Sequence, residues 1–509
     1  MYTRAIAPLN HVRLFLALLL SCLYSCGMNP VFASTWPPVR VKLVVVIVID
    51  QFRADFLSRY AEQFEAGGVK ALTKSGAFYP LGEFDILQAM TGPGHATILT
   101  GAYPYQMGIP LNDWYDQVTR KPMYCVEDSG VKTVGLDSQE PSSSPRNLVG
   151  STLGDELKNA GRASKVVAIS IKDRAAILLG GKRADLALWI DGKPRRWVSS
   201  TYYRKDAKLP AWVEPLGAAA VACDLKTSCS ADITAQAFIA ALAGEKLGRG
   251  TGPDVLAVSF SGHDIAGHRF GPDAPEMKAI TLAEDRAIAR MRAAIDKQVG
   301  LKNTLFVLTG DHGVAPVPED VPELGGGRVD EKALLRKLNE TLTHSFGKAA
   351  KGDWVPYVND FNFFIDEENV RLAKVDLGKM QAEIKAVLTK EPAFAQIFTR
   401  DEVEAGRLPP GVFGRRALKT FYKGRTGHVV ALQKPFFINA GGHRATHMTG
   451  YTYDRMVPII LSGPGIQPGL RSEKAEVVDI APTLAFLLGV LPPALSEGRV
   501  LSEALLKAP

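Results

Sequence analysis

The stretch VKLVVVIVID, Val41 to Asp50, is apolar and largely β-branched without alternation, and it ends on an acid. A run of this kind predicts a strand buried on both faces, the centre of an α/β sheet covered by helices on either side. The same grammar returns in PDVLAVSFSGHD (Pro253 to Asp264) and NTLFVLTGDHG (Asn303 to Gly313), where an apolar strand and small residues lead to Asp or His. Open α/β sheets hold their ligands just beyond the carboxyl ends of the strands, so the three tips are expected to converge.

Between these strands lie helical patterns such as MKAITLAEDRAIARMRAAIDKQV, Met277 to Val299, with apolar residues three and four apart. MVPIILSGPGI (Met456 to Ile466) predicts a further buried strand, and VVDIAPTLAFLLGV (Val477 to Val490) a helix after it. The expected fold class is α/β, with a mostly parallel central sheet flanked by helices. Two regions break the rhythm and read as α+β insertions over the core face, at about 175–250 and about 318–440. The first carries a hairpin pattern turning at Asp191-Gly192, and the second a hairpin-like HVVALQKPFFI, His428 to Ile438.

The chain has 509 residues, 46% of them hydrophobic, which suits one large domain with insertions. Residues 1–33 read as a signal peptide. Arg4 and Arg13 precede the run Leu14 to Leu20, which is too short for a membrane span, and VFAS supplies small residues for cleavage after Ala33. Export to the periplasm or medium follows, with a lipid anchor on Cys26 as the alternative. Residues 34–509 would then form the mature domain. Cleavage takes two of the 60 basic residues and none of the 53 acids, leaving a net charge of +5. That mild excess favours anionic substrates, while the lack of any basic run or basic-aromatic stripe argues against nucleic acid. An exported chain meets an oxidising compartment, so CDLKTSC predicts a Cys223–Cys229 disulfide and leaves Cys125 odd. No cysteine spacing fits a zinc site, so a metal would need Asp and His ligands.

Asp50, Asp264, His268, Asp311, His312 and His447 supply such ligands, most of them close to glycine or small residues. Singly, an Asp after a strand is a helix cap and a His a core or surface residue. Jointly, carboxylate oxygen and imidazole nitrogen form a donor set suited to zinc. A second puzzle is QAMTGPGHATILTG, Gln88 to Gly101, where Thr91 precedes Gly-Pro-Gly and a helix is expected to begin near His95. Thr91 could be a simple N-cap. It could instead be a nucleophile, because coordination to a dication makes an alkoxide accessible at neutral pH. Two divalent ions about 4 Å apart can grip both the attacking and leaving oxygens of an in-line phosphoryl displacement.

These pieces together resemble the alkaline phosphatase superfamily, in the branch of the nucleotide pyrophosphatase/phosphodiesterases and the phosphate-irrepressible bacterial alkaline phosphatases. The resemblance rests on VVVIVIDQFRADFLSRY, MTGPGHATILTGAYPYQMGI, SFSGHDIAGHRFGP, LTGDHGV and THMTGYTYDRMVPIILSGPGI, in family order along nearly the whole mature chain. It implies two zinc ions, one held by Asp264, His268 and His447 and the other by Asp50, Asp311, His312 and the nucleophile Thr91. His443 is the competing ligand to His447, and His95 and His263 are expected to be supporting groups. It also implies that Asn112, Lys172 and Arg174 bind phosphoryl oxygens. Lys172 and Arg174 are two apart and would share a side if the segment is extended.

The function implied is an alkaline phosphatase acting as a monomer on small phosphate monoesters through a phosphothreonine, with an alkaline preference. A phosphodiesterase is the alternative, and a non-catalytic zinc- or phosphate-binding protein a remote one. A sulfatase is excluded, because TGPGH lacks the Cys/Ser-x-Pro-x-Arg modification motif.

Overall fold

The computed structural model describes residues 40–136 and 141–506, so the expected signal peptide at 1–33 and the Cys26 alternative lie outside the described residues. Five strands make the middle of the main sheet: β1 (Leu43–Ile49), β2 (Val166–Ser170), β3 (Asp254–Phe260), β4 (Thr304–Gly310) and β5 (Met456–Ser462). Four helices bear on the site: α1 (Thr91–Thr100), α2 (Asp173–Gly180), α3 (Gly262–Phe270) and α4 (Pro275–Gln298).

Among the described residues the sheet has eleven strands. β1 is central and runs parallel to β3 on one side and β4 on the other, and β2 continues the parallel run beyond β3. Every residue of β1 is buried, which explains why its sequence does not alternate. Leu43, Val45, Ile47 and Ile49 share an apolar cluster with Ile288, Met291 and Ile295 of α4. The intervening Val44, Val46 and Val48 are equally buried on the opposite face.

Toward its edges the sheet becomes mixed. β5 lies antiparallel between β4 and Gly76–Glu83. On the other side Leu186–Asp191 extends the parallel run and Arg196–Ser200 folds back antiparallel, giving the expected hairpin. This part of the 175–250 region therefore widens the main sheet instead of covering it.

Residues 318–440 build a smaller α+β layer. Tyr357–Asn359, Asn362–Phe364, Val429–Gln433 and Phe394–Thr399 form a four-stranded sheet. Its core includes Leu338, Leu342, Trp354, Phe363, Ile384 and Leu388. The hairpin expected within HVVALQKPFFI is not formed, because Phe437–Asn439 pairs in parallel with Gly327–Val329 and not with Val429–Gln433. Asn359 Nδ2 donates to Asp113 O (3.1 Å) and Gln88 Nε2 to Asp360 O (2.8 Å), tying this layer to segments beside α1. Cys223 and Cys229 are disulfide-bonded, and Cys125 is free and buried. No helix among the described residues is long and apolar enough to cross a membrane.

Candidate active site

The parallel register sets Ile49 beside Phe260 and Gly310, so the chain leaves the sheet at three neighbouring points. Asp50 and Asp311 follow at once, and Asp264 lies in the first turn of α3; all three are buried. The histidines arrive from further off. His312 adjoins Asp311, His268 lies one turn along α3 from Asp264, and His447 comes from the loop before β5.

Their donor atoms form two overlapping groups, Asp50/Asp311/His312 and Asp264/His312/His447, each with ligand atoms within 4.8 Å of one another. His312 Nε2 lies 3.5 Å from Asp50 Oδ1 and 3.3 Å from Asp311 Oδ2. His268 Nε2 is 3.2 Å and His447 Nε2 3.6 Å from Asp264 Oδ1. Asp50, Asp311 and His312 come together as expected, but His312 also joins Asp264 and His447, while His268 approaches Asp264 without belonging to either group; the His312 ring stacks on that of His447 at 3.6 Å.

Two observations test whether a cation fits. Asp50 Oδ1, Asp311 Oδ2 and His312 Nε2 are buried and lack hydrogen-bond partners among the described residues, although burying such atoms unpaired is costly. They face one another across the first group, as ligand atoms of one ion would. In addition, each imidazole is committed through Nδ1 to a backbone carbonyl: His312 to Gly313 O (2.9 Å), His268 to Ala445 O (2.9 Å) and His447 to Ala89 O (2.7 Å). A carbonyl can only accept, so Nδ1 carries the proton and the Nε2 lone pair faces the centre. The residues present fit divalent metal ions. His443, by contrast, is exposed, its ring centroid 4.4 Å from that of His268.

The charges are strongly coupled. Burial, then the charge of Asp50, pushes the Asp311 carboxyl up to about 7. Burial also acts on Asp264, but His268 and Lys172 outweigh it and hold that carboxyl well below the usual range. Burial, then the neighbouring His447, drives His312 well below the ordinary imidazole value, so it is neutral and able to ligate.

Thr91 begins α1 at the first helical position; the cap residue is Met90, which offers no side-chain bond. The N-cap alternative for Thr91 is therefore wrong, and so is a helix start near His95. Pro93 belongs to the first turn, where a missing N–H costs nothing. A Cβ on Gly94 would lie 2.3 Å from the Asp311 carbonyl oxygen, and one on Gly92 would lie 3.0 Å from Asn112 Oδ1. The glycines let the amino end of α1 press against the acidic loop, and helix amides and dipole there favour an anion.

Around Thr91 the phosphate-binding candidates assemble unevenly. Arg174 Nη2 donates to Thr91 Oγ1 at 3.3 Å, and Asn112 Oδ1 accepts from the Gly92 amide at 2.8 Å. Lys172 Nζ stands between the acids, 2.8 Å from Asp50 Oδ2 and 2.6 Å from Asp264 Oδ2. The segment is not extended as expected: Lys172 caps α2 and Arg174 lies in its first turn. His95 Nδ1 donates to Thr91 O (2.9 Å) and passes 3.1 Å from Asp311 Oδ2, while His263 Nδ1 donates to Asp50 O (3.1 Å).

Sequence reasoning missed Gln51. Its backbone N–H donates to Asp311 Oδ1 (3.0 Å) and its Nε2 to Asp264 Oδ1 (2.6 Å), joining the two groups. Its φ of 65° is left-handed, and a Cβ on Gly267 would lie 1.8 Å from its Oε1. The available signal was an amide directly after Asp50 in an otherwise apolar, buried setting.

Residues 44–435 match the sequence family described as type I phosphodiesterase / nucleotide pyrophosphatase. A Myroides odoratus protein named calcium-transporting ATPase is 30% identical, covering 92% of this chain and 95% of its own. Alkaline phosphatase PhoV of Synechococcus elongatus is also 30% identical, over 92% of this chain and 93% of its own. The crystal structure of wild-type alkaline phosphatase PafA superposes with a TM-score of 0.85 at 28% identity, covering 92% of this chain and 99% of PafA.

Proposed function

Because the chain belongs to the type I phosphodiesterase / nucleotide pyrophosphatase family, we propose that it is an exported alkaline phosphatase that hydrolyses phosphate monoesters through a phosphothreonine at Thr91. The observation that carries the reading is the unpartnered trio Asp50 Oδ1, Asp311 Oδ2 and His312 Nε2 behind a threonine that Arg174 touches. Asp50, Asp311, His312 and Thr91 would hold one zinc, and Asp264, His268 and His447 the other. When bound, the ions supply positive charge that eases loss of the hydroxyl proton and neutralises developing charge on oxygen.

The chain's own groups do the rest. Thr91 Oγ, its proton lost, attacks phosphorus in line as the P–O bond to the ester's alcohol breaks and that alcohol leaves; the first turn of α1 and Arg174 aim the attack. Arg174 and Asn112 hold the phosphoryl oxygens, and Lys172 adds a point charge against them. In the second step water attacks the phosphothreonine from the leaving-group side, the P–Oγ bond breaks, Thr91 Oγ regains a proton, and inorganic phosphate is released. Two cationic side chains at one phosphoryl group suit a dianionic monoester better than a diester, whose second substituent removes one of those charges.

The test is metal analysis combined with p-nitrophenyl phosphate and bis-p-nitrophenyl phosphate hydrolysis. Thr91→Ala is expected to lose turnover while still binding zinc, and the Lys172→Ala, Arg174→Ala double variant to shift preference toward the diester. A ratio that does not move overturns the monoester assignment.

A further inference from the structure

Arg174 does not hold its own position. Its Nη1 donates to Tyr124 Oη at 3.2 Å, while Tyr124 Oη donates to Asp173 Oδ1 at 2.6 Å. Asp173 is fixed in turn, accepting from Ser143 Oγ at 2.8 Å and from the Arg174 amide at 2.7 Å. Three segments that the sequence keeps apart, Lys121–Tyr124, Pro141–Ser143 and the start of α2, thus close on one guanidinium. With Nη1 engaged, the opposite edge of the fork carries Nη2, which touches Thr91 Oγ1, and Nε, which is buried without a partner among the described residues. A buried guanidinium N–H next to the nucleophile is a donor waiting for an acceptor, and the Nε/Nη2 edge matches two oxygens of one phosphoryl group.

We infer that Tyr124 is the positioning residue for Arg174, and that through it the enzyme favours monoesters over diesters. The inference rests on the reading of Arg174 as the phosphoryl clamp. An unanchored arginine has several rotatable bonds and would spread its charge over many poses; the phenol removes that freedom before substrate arrives. Burial keeps the Tyr124 phenol well above its ordinary pKa, so it stays a neutral donor to Asp173 across the working range. The ring itself packs on the apolar cluster of Met90, Ala96 and Trp114, so Tyr124→Phe removes the hydroxyl and retains the packing.

The experiment compares the two p-nitrophenyl esters in the zinc-loaded enzyme. Tyr124→Phe is expected to lower kcat/KM for the monoester about tenfold, chiefly through KM, with the diester changed by less than about twofold. In an Arg174→Ala background the same change is expected to do nothing further, since the two act as one unit. Asp173→Asn, which loosens the phenol from its other side, is expected to move the ester ratio in the same direction and serves if Tyr124→Phe folds poorly. Equal loss on both esters, or an undiminished effect without Arg174, overturns the inference. A ratio moved by Arg174→Ala but not by Tyr124→Phe overturns it alone; a ratio unmoved by Arg174→Ala overturns the clamp reading as well.

Discussion

The Asp311 carbonyl oxygen occupies the space that a side chain at position 94 would need, 2.3 Å from where a Cβ would sit. This contact holds the helix of Thr91, the proposed nucleophile, against Asp311, one of the acids proposed to hold a metal. Gly94→Ala must therefore push α1 and the loop after β4 apart, because backbone on both sides leaves no flexible atom to yield. Although Ala is intrinsically better than Gly in a helix, overpacking costs about 1–3 kcal/mol, so the variant is expected to melt lower. Phosphatase activity should fall more steeply than stability. A variant as stable and active as the parent would mean that the contact does not constrain the site.

Metal loading should depend on pH through Asp311. Its carboxyl, pushed up to about 7, must lose its proton to ligate. Zinc affinity is expected to rise as pH increases toward about 7 and then level off, and Asp311→Asn should weaken binding and flatten the slope. The metal-free protein behaves oppositely. The folded state holds that proton more tightly than the unfolded chain, so this stabilising contribution is full below about pH 4 and is lost as pH rises through about 7. Chelator competition and melting curves at about pH 6 and about pH 8 separate the two, and equal zinc affinity at both sinks the prediction.

Asp85 joins the smaller layer to the main sheet, and it should govern acid stability. It is buried, and its carboxylate accepts from Arg416 Nε (2.9 Å), Lys419 Nζ (2.8 Å) and Arg415 Nε (3.2 Å). Burial raises its pKa, but Lys419 and the two arginines outweigh burial and hold it well below the usual carboxylate range. The stabilisation is thus present above the ordinary value of about 4 and is lost as pH falls further. Asp85→Asn leaves Arg416 buried beside a neutral partner and should cost about 3 kcal/mol at neutral pH. The loss should shrink as pH falls below about 4, where the unfolded parent takes up a proton that the folded state resists. A pH-independent loss would rule out the charge as its cause.

Glu284 of α4 is the opposite case. It is buried, and neither carboxyl oxygen has a hydrogen-bond partner among the described residues. Burial, then the charge of Asp50, pushes its pKa well above the ordinary value. Its contribution is therefore most favourable in acid and is lost as pH rises above about 4 toward the raised folded value. Glu284→Leu should raise stability by about 1–3 kcal/mol, with a larger gain at pH 9 than at pH 5. No gain at alkaline pH would show that the acid is better accommodated than its contacts indicate.

The central strand and the convergence of acids were legible because each depends on local pattern. A non-alternating run such as Leu43–Ile49 has to lie between two helical layers, and a parallel sheet brings its carboxyl ends together. What escaped depends on distant partners. The helix start at Thr91 is stabilised by the fit of Gly94 against Asp311, which no window around Pro93 contains. Lys172 and Arg174 reach the site from a helix start, because α2 begins immediately after β2. Phe437–Asn439 found its partner more than a hundred residues upstream, where turn chemistry gives no signal. Gln51 offered no more than an amide after Asp50 and Tyr124 was silent, since an amide and a phenol acquire their roles only from what faces them.

The imidazoles of His268 and His447 are aimed by main-chain oxygens at Ala445 and Ala89. A peptide group survives any replacement of its side chain, so drift at those two positions need not disturb the aim. An alignment scored by residue identity would overlook both anchors, and only displacement of the backbone itself could unlock the rings.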